Sequence, residues 1–495
     1  MLDSFTNLAA GLSVALEGQN LFYCFGGALI GTLIGVLPGL GPVATIAILL
    51  PVTFYLPPVA ALVMLAGIYY GAQYGGSTTA ILVNLPGESS SVVTCLDGYQ
   101  MARNGRAGPA LAIAALSSLF AGVVAVVLMA VFATGLSELT MFFGPAEYFS
   151  LMVFGLVAAV ILAHGSVLSA LAMVFVGLLL SLVGTDVSSG VQRMTFGFFD
   201  LSDGIGFVPL AMGLFAVAEI IKNLEEPEER IVLEGKIGRL WPSGKEFRKA
   251  FPSAIRGTFI GSFLGLLPGG GPTLGSFAAY TVEKRLSKEP HRFGTGVVEG
   301  VAGPEAANNA SAQTAFIPLL TLGIPSNPTI AMMAGAMLIH GIQPGPEVMT
   351  KNPEVFWGLI ASMLLGNIML VIINLPLIGL WVSLLKIPYR LFYPSILVFC
   401  CIGAYSVNNN AFDVFVMIAF GFLGYAFMKW KAEPAPLILA FVLGPLIEEY
   451  FRRAMLLSLG DPTTFVSRPI SLVMLMAAMG LLMITFLPRL RRRAG

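Results

Sequence analysis

The chain of 495 residues is 56% hydrophobic and 11% charged, with mean hydropathy +0.85, so it has too little polar surface for a soluble globule of that size. Its formal net charge of zero excludes a general attraction to nucleic acid. Apolar stretches near the length a helix needs to cross ~30 Å of hydrocarbon recur throughout and none alternates as barrel strands do, which predicts an all-α integral membrane bundle of about 10-14 spans.

The first twenty residues lack the basic start of a secretory signal and contain Asp3 and Glu17, so a short interfacial helix is expected there rather than a cleaved leader. Between residues 22 and 56 two apolar arms of about fifteen residues flank PGLGP (38–42), each arm short for a full span. Proline has no amide to donate and glycine tolerates positive φ, so the pentapeptide should break the helix and leave backbone groups open at membrane depth. Such backbone survives in a bilayer only where protein buries it or where water and a solute meet it. The stretch reads as a re-entrant hairpin or a pair of half-helices, with Pro38, Gly39 and Gly41 at its break. The plainer alternative is a helix-packing glycine motif or a loop between spans.

Next comes YYGAQYGGSTTAILVNLPGESSS (69–91), which sets the candidate binding residues Gln73, Ser77, Thr78, Asn84, Gly87, Glu88, Ser89 and Ser90 in apolar sequence. Glu88 is the most telling of them, because an acid beside a helix break in an apolar context marks function; its alternative is a cap on the following helix. Tyr69 and Tyr70 read as packing or interface aromatics. Four crossings follow, at about 110–134, 145–163, 166–184 and 204–221. The only long charged stretch, 222–256, then divides the chain into a membrane repeat at 1–225, a cytoplasmic connecting loop at 226–256 and a second repeat at 257–495.

The second repeat opens with IRGTFIGSFLGLLPGGGP (255–272), identical to residues 25–42 at nine of eighteen positions and offset by 230, Pro268 lying opposite Pro38. A second break is therefore expected at 257–283, around Gly269, Gly270 and Gly271. GPEAANNASAQTAFIPLLTLGIPSNPT (303–329) answers the first polar stretch, Pro325 opposite Pro86, and carries Glu305 with the candidate residues Asn308, Asn309, Ser311, Gln313, Ser326 and Asn327. Amides and hydroxyls donate to a carboxylate while their oxygens coordinate Na⁺, so the set suits an anion bound with a cation, and a Na⁺ site is expected near Glu88 and the Gly-rich turns. Arginine is missing from these clusters, which leaves neutralisation to helix ends, a co-bound cation or a residue elsewhere in the fold. Five crossings close the chain, at about 355–385, 391–408, 411–428, 436–451 and 469–487, and RLRRR (489–493) places the C-terminus in the cytoplasm.

Charge also orients the repeats. The turn Tyr55 to Pro58 is uncharged while its counterpart carries Lys284, Arg285, Lys288 and Arg292; after the second motif the bias reverses, Arg103 and Arg106 against Lys351. Equivalent loops on opposite sides are the mark of inverted-topology repeats, with Arg193, Arg452 and Arg453 as exceptions. The four cysteines lack metal-ligand spacing, so neither disulfides nor zinc is expected, and His164, His291 and His340 each read as sitting near a helix end.

GVLPGLGP (35–42), YYGAQYGGSTTAILVNLPGESSSVVTCLDGYQMARNGRAG (69–108) and EGVAGPEAANNASAQTAFIPLLTLGIPSN (299–327) resemble the large membrane subunit of the tripartite tricarboxylate transporters. The resemblance implies a multi-pass bacterial inner-membrane importer served by a periplasmic solute-binding protein and a small membrane subunit. It also implies uptake driven by an ion gradient, Na⁺ or H⁺, of small organic carboxylates, with a tricarboxylate such as citrate first. No GxxxxGK[ST] is present to argue for ATP, and no HExxH, GxSxG or GxGD argues for an enzyme, so neither catalysis nor a cofactor is expected. A passive anion channel, a dicarboxylate or aromatic-acid transporter and a homo-oligomer stay open on the residues alone.

Overall fold

A computed structural model describes residues 2–37, 41–140, 142–162, 166–186, 188–225, 239–267, 269, 271–384 and 393–493. The chain is an all-α membrane bundle: among the described residues the one sheet is a two-residue hairpin, Gly184–Thr185 with Gln192–Arg193. Among the described residues five helices are long and apolar enough to cross a membrane: Gly18–Val36, Ala102–Phe132, Phe207–Glu225, Pro353–Asn374 and Ala411–Lys429. Shorter apolar helices, among them Pro42–Thr53, Val167–Ser181 and Pro328–Ile339, fill the spaces between them.

Two glycine seams organise the bundle. Gly27, Gly31 and Gly35 recur every fourth residue, on one face of Gly18–Val36. A Cβ on any of them would come within 2.1–2.3 Å of the carbonyl oxygen of Met64, Ile68 or Ala72 on the helix Pro58–Val83. In the second half a Cβ on Gly257, Gly261 or Gly265 of Gly244–Gly265 would likewise come within 2.1–2.4 Å of the carbonyl oxygen of Gly303, Ala307 or Ser311 on Glu299–Thr314. The glycines are related by an offset of 230 (257 − 27) and their partners by 239 (303 − 64), so one seam is built twice. Lipid tails give helices no hydrophobic reason to pair, and close backbone approach at small residues supplies dispersion contact instead.

The ends of these helices also match. Pro58–Val83 stops at Asn84 in a left-handed conformation, φ 59°, and Phe316–Leu322 stops at Gly323, φ 74°, again 239 residues on. Each chain then turns through a proline and restarts on an extended residue, Glu88 (φ −147°) ahead of Ser89–Ser91 and Asn327 (φ −154°) ahead of Pro328–Ile339.

Several boundaries differ from the sequence reading. The helix Gly244–Gly265 begins inside the segment expected as connecting loop, because Ser243 and Glu246 form a capping box that starts it; residues 226–238 lie outside the described residues. The stretch expected to cross at 355–385 is two helices, Pro353–Asn374 and Ile378–Leu384, separated around Pro376, which has no amide to donate. The N-terminal segment is a helix, Leu2–Ala15, and it lies on Pro353–Asn374 so closely that a Cβ at Gly11 would meet the Trp357 carbonyl at 2.3 Å. The three arginines that stood against the charge rule are paired: Arg193 with Glu448 at 2.8 Å, Arg452 with Asp186 at 2.7 Å and Arg453 with Glu449 at 2.5 Å. The Ser188 amide and the Arg452 guanidinium hold the Asp186 carboxyl well below the usual carboxylate range. His340 caps Pro328–Ile339 and His291 sits in the short turn Pro290–Arg292, while His164 lies outside the described residues. All four cysteines are free.

Candidate functional site

The breaks of both repeats open on one cavity of about 740 Å³, within the size range of small-molecule sites. Gly41 to Ala44 and the turn Pro86 to Ser90 line it from the first repeat; Gly269, Gly271 to Leu274 and Ser326 to Thr329 line it from the second. Tyr69 forms part of the wall between them.

Three helices of the two motifs start at this wall, Pro42–Thr53, Gly271–Leu286 and Pro328–Ile339, and a fourth, Ala435–Leu457, starts there from outside the motifs. First-turn amides have no intrahelical acceptor, and the positive end of each helix dipole lies at the cavity. The glycines make this possible at the second break, since Gly269 and Gly271 hold φ 75° and 58°, conformations in which a side chain is strained. Gly269 N–H donates to the Ser326 carbonyl at 2.6 Å, which ties the broken motif to the polar turn of its own repeat.

Across the repeats Ser89 Oγ and Thr273 Oγ1 are 3.0 Å apart, and Asn327 Nδ2 donates to the Tyr69 hydroxyl at 3.4 Å. Asn327 also caps its helix, its Oδ1 accepting from the Ile330 amide at 3.0 Å. Glu88 accepts from Ser90 Oγ, and its amide donates to Ser91 Oγ at 3.4 Å, so it occupies the cap position of the sequence alternative while also lining the cavity.

Of the sequence-derived candidates, Gly41, Gly87, Glu88, Ser89, Ser90, Gly269, Gly271, Ser326 and Asn327 meet at this cavity. Pro38, Gly39 and Gly270 lie outside the described residues. Gln73, Ser77, Thr78, Asn84, Asn308, Asn309, Ser311 and Gln313 are not among its lining residues. Apart from exposed Asn84, they are buried on the two seam helices, whose polar faces turn toward each other. There Glu305, 1% exposed, accepts from Ser77 Oγ at 2.8 Å and from Thr94 Oγ1, and Asn309 Nδ2 donates to Ser118 Oγ at 2.7 Å. The side-chain amides of Gln73, Asn308 and Gln313 have no hydrogen-bond partner in this layer.

Sequence reasoning missed other walls of the cavity. Thr273 adds a hydroxyl beside Thr329 of the second polar stretch, and Tyr69, read as a packing aromatic, lines the cavity as well as packing tilted against Phe316 at 6.4 Å between centroids. Lys222, at the end of Phe207–Glu225, brings a cation to a site whose motifs contain none; Glu219 and Glu433 line the same space. Lys222 belongs to the charged stretch that served only to orient the chain, and no spacing connects it to either motif.

Comparison with known proteins places this architecture among relatives. The sequence profile of the tripartite tricarboxylate transporter TctA family matches residues 21–439. The chain is 56% identical over 493 residues to an uncharacterised 52.8 kDa protein in the TAR-I ttuC′ 3′ region of Agrobacterium vitis, covering 100% of this chain and 98% of that one. It is also 58% identical over 233 residues to an uncharacterised protein in the TAR-II ttuC′ 3′ region of the same organism, covering 47% of this chain and 96% of the relative. No solved structure matches the chain.

Proposed function

The chain belongs to the tripartite tricarboxylate transporter TctA family, the large component of such transporters, and from that premise we propose that it is the subunit through which a small organic carboxylate crosses the bacterial inner membrane. A periplasmic solute-binding protein delivers the carboxylate, a small membrane subunit accompanies this one, the C-terminus lies in the cytoplasm, and an ion gradient of Na⁺ or H⁺ drives uptake by alternating access. One observation carries the reading: the breaks of the two repeats face one cavity, and three helix N-termini of the two motifs start on it.

Magnitudes support a carrier rather than a trap. Each helix N-terminus stabilises an anion by roughly 0.3–2 kcal/mol, so three supply about 1–6 kcal/mol, against the ~4.1 kcal/mol of a millimolar site. The hydroxyls of Ser89, Thr273 and Thr329 can hydrogen-bond carboxylate oxygens, and Lys222 adds charge at the edge. Affinity of that order lets the anion enter and leave. A tricarboxylate such as citrate is the first substrate to test, with C4 dicarboxylates and aromatic acids as the alternatives.

Proteoliposomes holding the membrane subunits and supplied with the binding protein should concentrate radiolabelled carboxylate, saturably, under a Na⁺ or proton gradient. Uptake that only equilibrates and ignores both gradients would identify a passive channel instead.

A further inference from the structure

Behind the Pro86 to Ser91 turn lies a second and far smaller space, of about 10 Å³, the room of one water-sized sphere. Its polar wall is Tyr74, Ser77, Thr78, Ser118, Glu305 and Asn374, drawn from four helices and from both repeats. Glu305 is 1% exposed and forms no ion pair among the described residues. Both its oxygens are engaged, one by Ser77 Oγ at 2.8 Å and the other by Thr94 Oγ1. Two oxygens on the same wall, each on a residue 4% exposed, have no partner: the Tyr74 hydroxyl and Asn374 Oδ1. Asn374 Nδ2 is already committed to the Leu370 carbonyl at 2.8 Å and to Thr32 Oγ1 at 3.3 Å, so its carbonyl oxygen alone is left over.

A carboxylate at such depth is stable as an anion only with a compensating charge, and buried carbonyl and hydroxyl oxygens without partners cost free energy too. One cation answers both needs. The donors are all oxygen, which selects a hard ion; a single carboxylate faces the space, which fits a single charge; and no group of three or more His, Cys, Asp or Glu side chains occurs among the described residues to hold a transition metal. We infer that this space is a Na⁺ site, with Glu305 as the charged ligand and Ser77, Tyr74 and Asn374 as neutral oxygen ligands. The Ser77 hydroxyl can keep donating to Glu305 while offering a lone pair to the ion.

The inference rests on the transport reading and assigns its coupling ion. Thr94 follows the helical turn that begins at Ser89, and the residue capping that turn, Glu88, lines the carboxylate cavity. Na⁺ on Glu305 therefore holds in place one wall of the carboxylate site, and by linkage the carboxylate strengthens Na⁺ binding by the same factor.

Thermal unfolding of the purified full-length chain in detergent, followed by tryptophan fluorescence, tests the site without any transport measurement. At fixed pH and at ionic strength held constant with choline chloride, NaCl should raise Tm saturably where KCl does not. Glu305→Gln should abolish the response. Ser77→Ala and Asn374→Leu should each raise the half-saturating Na⁺ concentration about tenfold, equivalent to roughly 1.4 kcal/mol, and they decide the matter if Glu305→Gln does not fold. A wild-type Tm indifferent to Na⁺, a response shared equally by K⁺, or unchanged half-saturation in these variants overturns the site. A protein that binds Na⁺ in this way yet moves no carboxylate would overturn the transport reading and leave the site standing.

Discussion

Glu88 caps a turn and lines the cavity, so Glu88→Gln should lower carboxylate uptake or shift its ion dependence while leaving membrane insertion intact. Uptake kinetics unchanged across a range of Na⁺ concentrations would remove Glu88 from the site. Lys222 supplies charge at the edge, where an exposed pair contributes about 1 kcal/mol; Lys222→Met should raise the KM for carboxylate about fivefold and Lys222→Arg should restore it. Asp97 has no exposure and accepts from the amides of Gly294, Gly296 and Val297 at 2.8–3.0 Å and from the Tyr280 hydroxyl at 2.9 Å. Hydrogen bonds to a charged group are worth about 1.5–3 kcal/mol, so Asp97→Asn should lower the Tm of the purified chain measurably. Glu88 was legible because it stands beside a break in apolar sequence. Lys222 and Asp97 were not, because what gives each its role is a partner segment well over a hundred residues away, or a cavity that exists only after folding.

Among the elements, the doubled motif proves to be two devices in one string. The sequence left open whether its glycines pack helices or break them; Gly27, Gly31 and Gly35 lie in a seam, while Gly41 stands at the helix start. The seam was visible as an offset of 230 between glycines, and its four-residue spacing is what a close helix pair requires. Its partner face carries the same mark, because Gly67, Gly71 and Gly75 of Pro58–Val83 repeat the four-residue spacing and an added Cβ there would meet the carbonyls of Cys24, Ala28 and Thr32 at 2.3–3.0 Å. Gly31→Ala places a Cβ 2.3 Å from the Ile68 carbonyl and should destabilise by about 1–3 kcal/mol, whereas Gly26→Ala, with nothing within 4 Å, should be silent. Parallel melting curves in detergent check the pair, and equal Tm values would show that the seam is slack. Gly269→Val, at φ 75°, should abolish transport for a different reason, strain in the turn itself.

For the molecule as a whole, composition fixed the all-helical class, and the exceptions to the charge rule are explained by pairing: Arg193, Arg452 and Arg453 are held by Glu448, Asp186 and Glu449. The meeting of both repeats at one cavity could not be read from either repeat alone. Ser89 and Thr273 touch across that boundary at 3.0 Å, so cysteines at both positions should form a disulfide under mild oxidation. If the halves separate there during turnover, oxidation should stop uptake and reduction should restore it; undiminished uptake by the cross-linked protein would place the motion elsewhere. The seams narrow where such motion can occur. Two rods meshed tooth against tooth over three successive turns can neither slide nor roll past one another, so each pair must travel as one stiff lever. Flexing then falls to the joints between levers, and those joints are the same short, amide-poor turns that the cargo would touch.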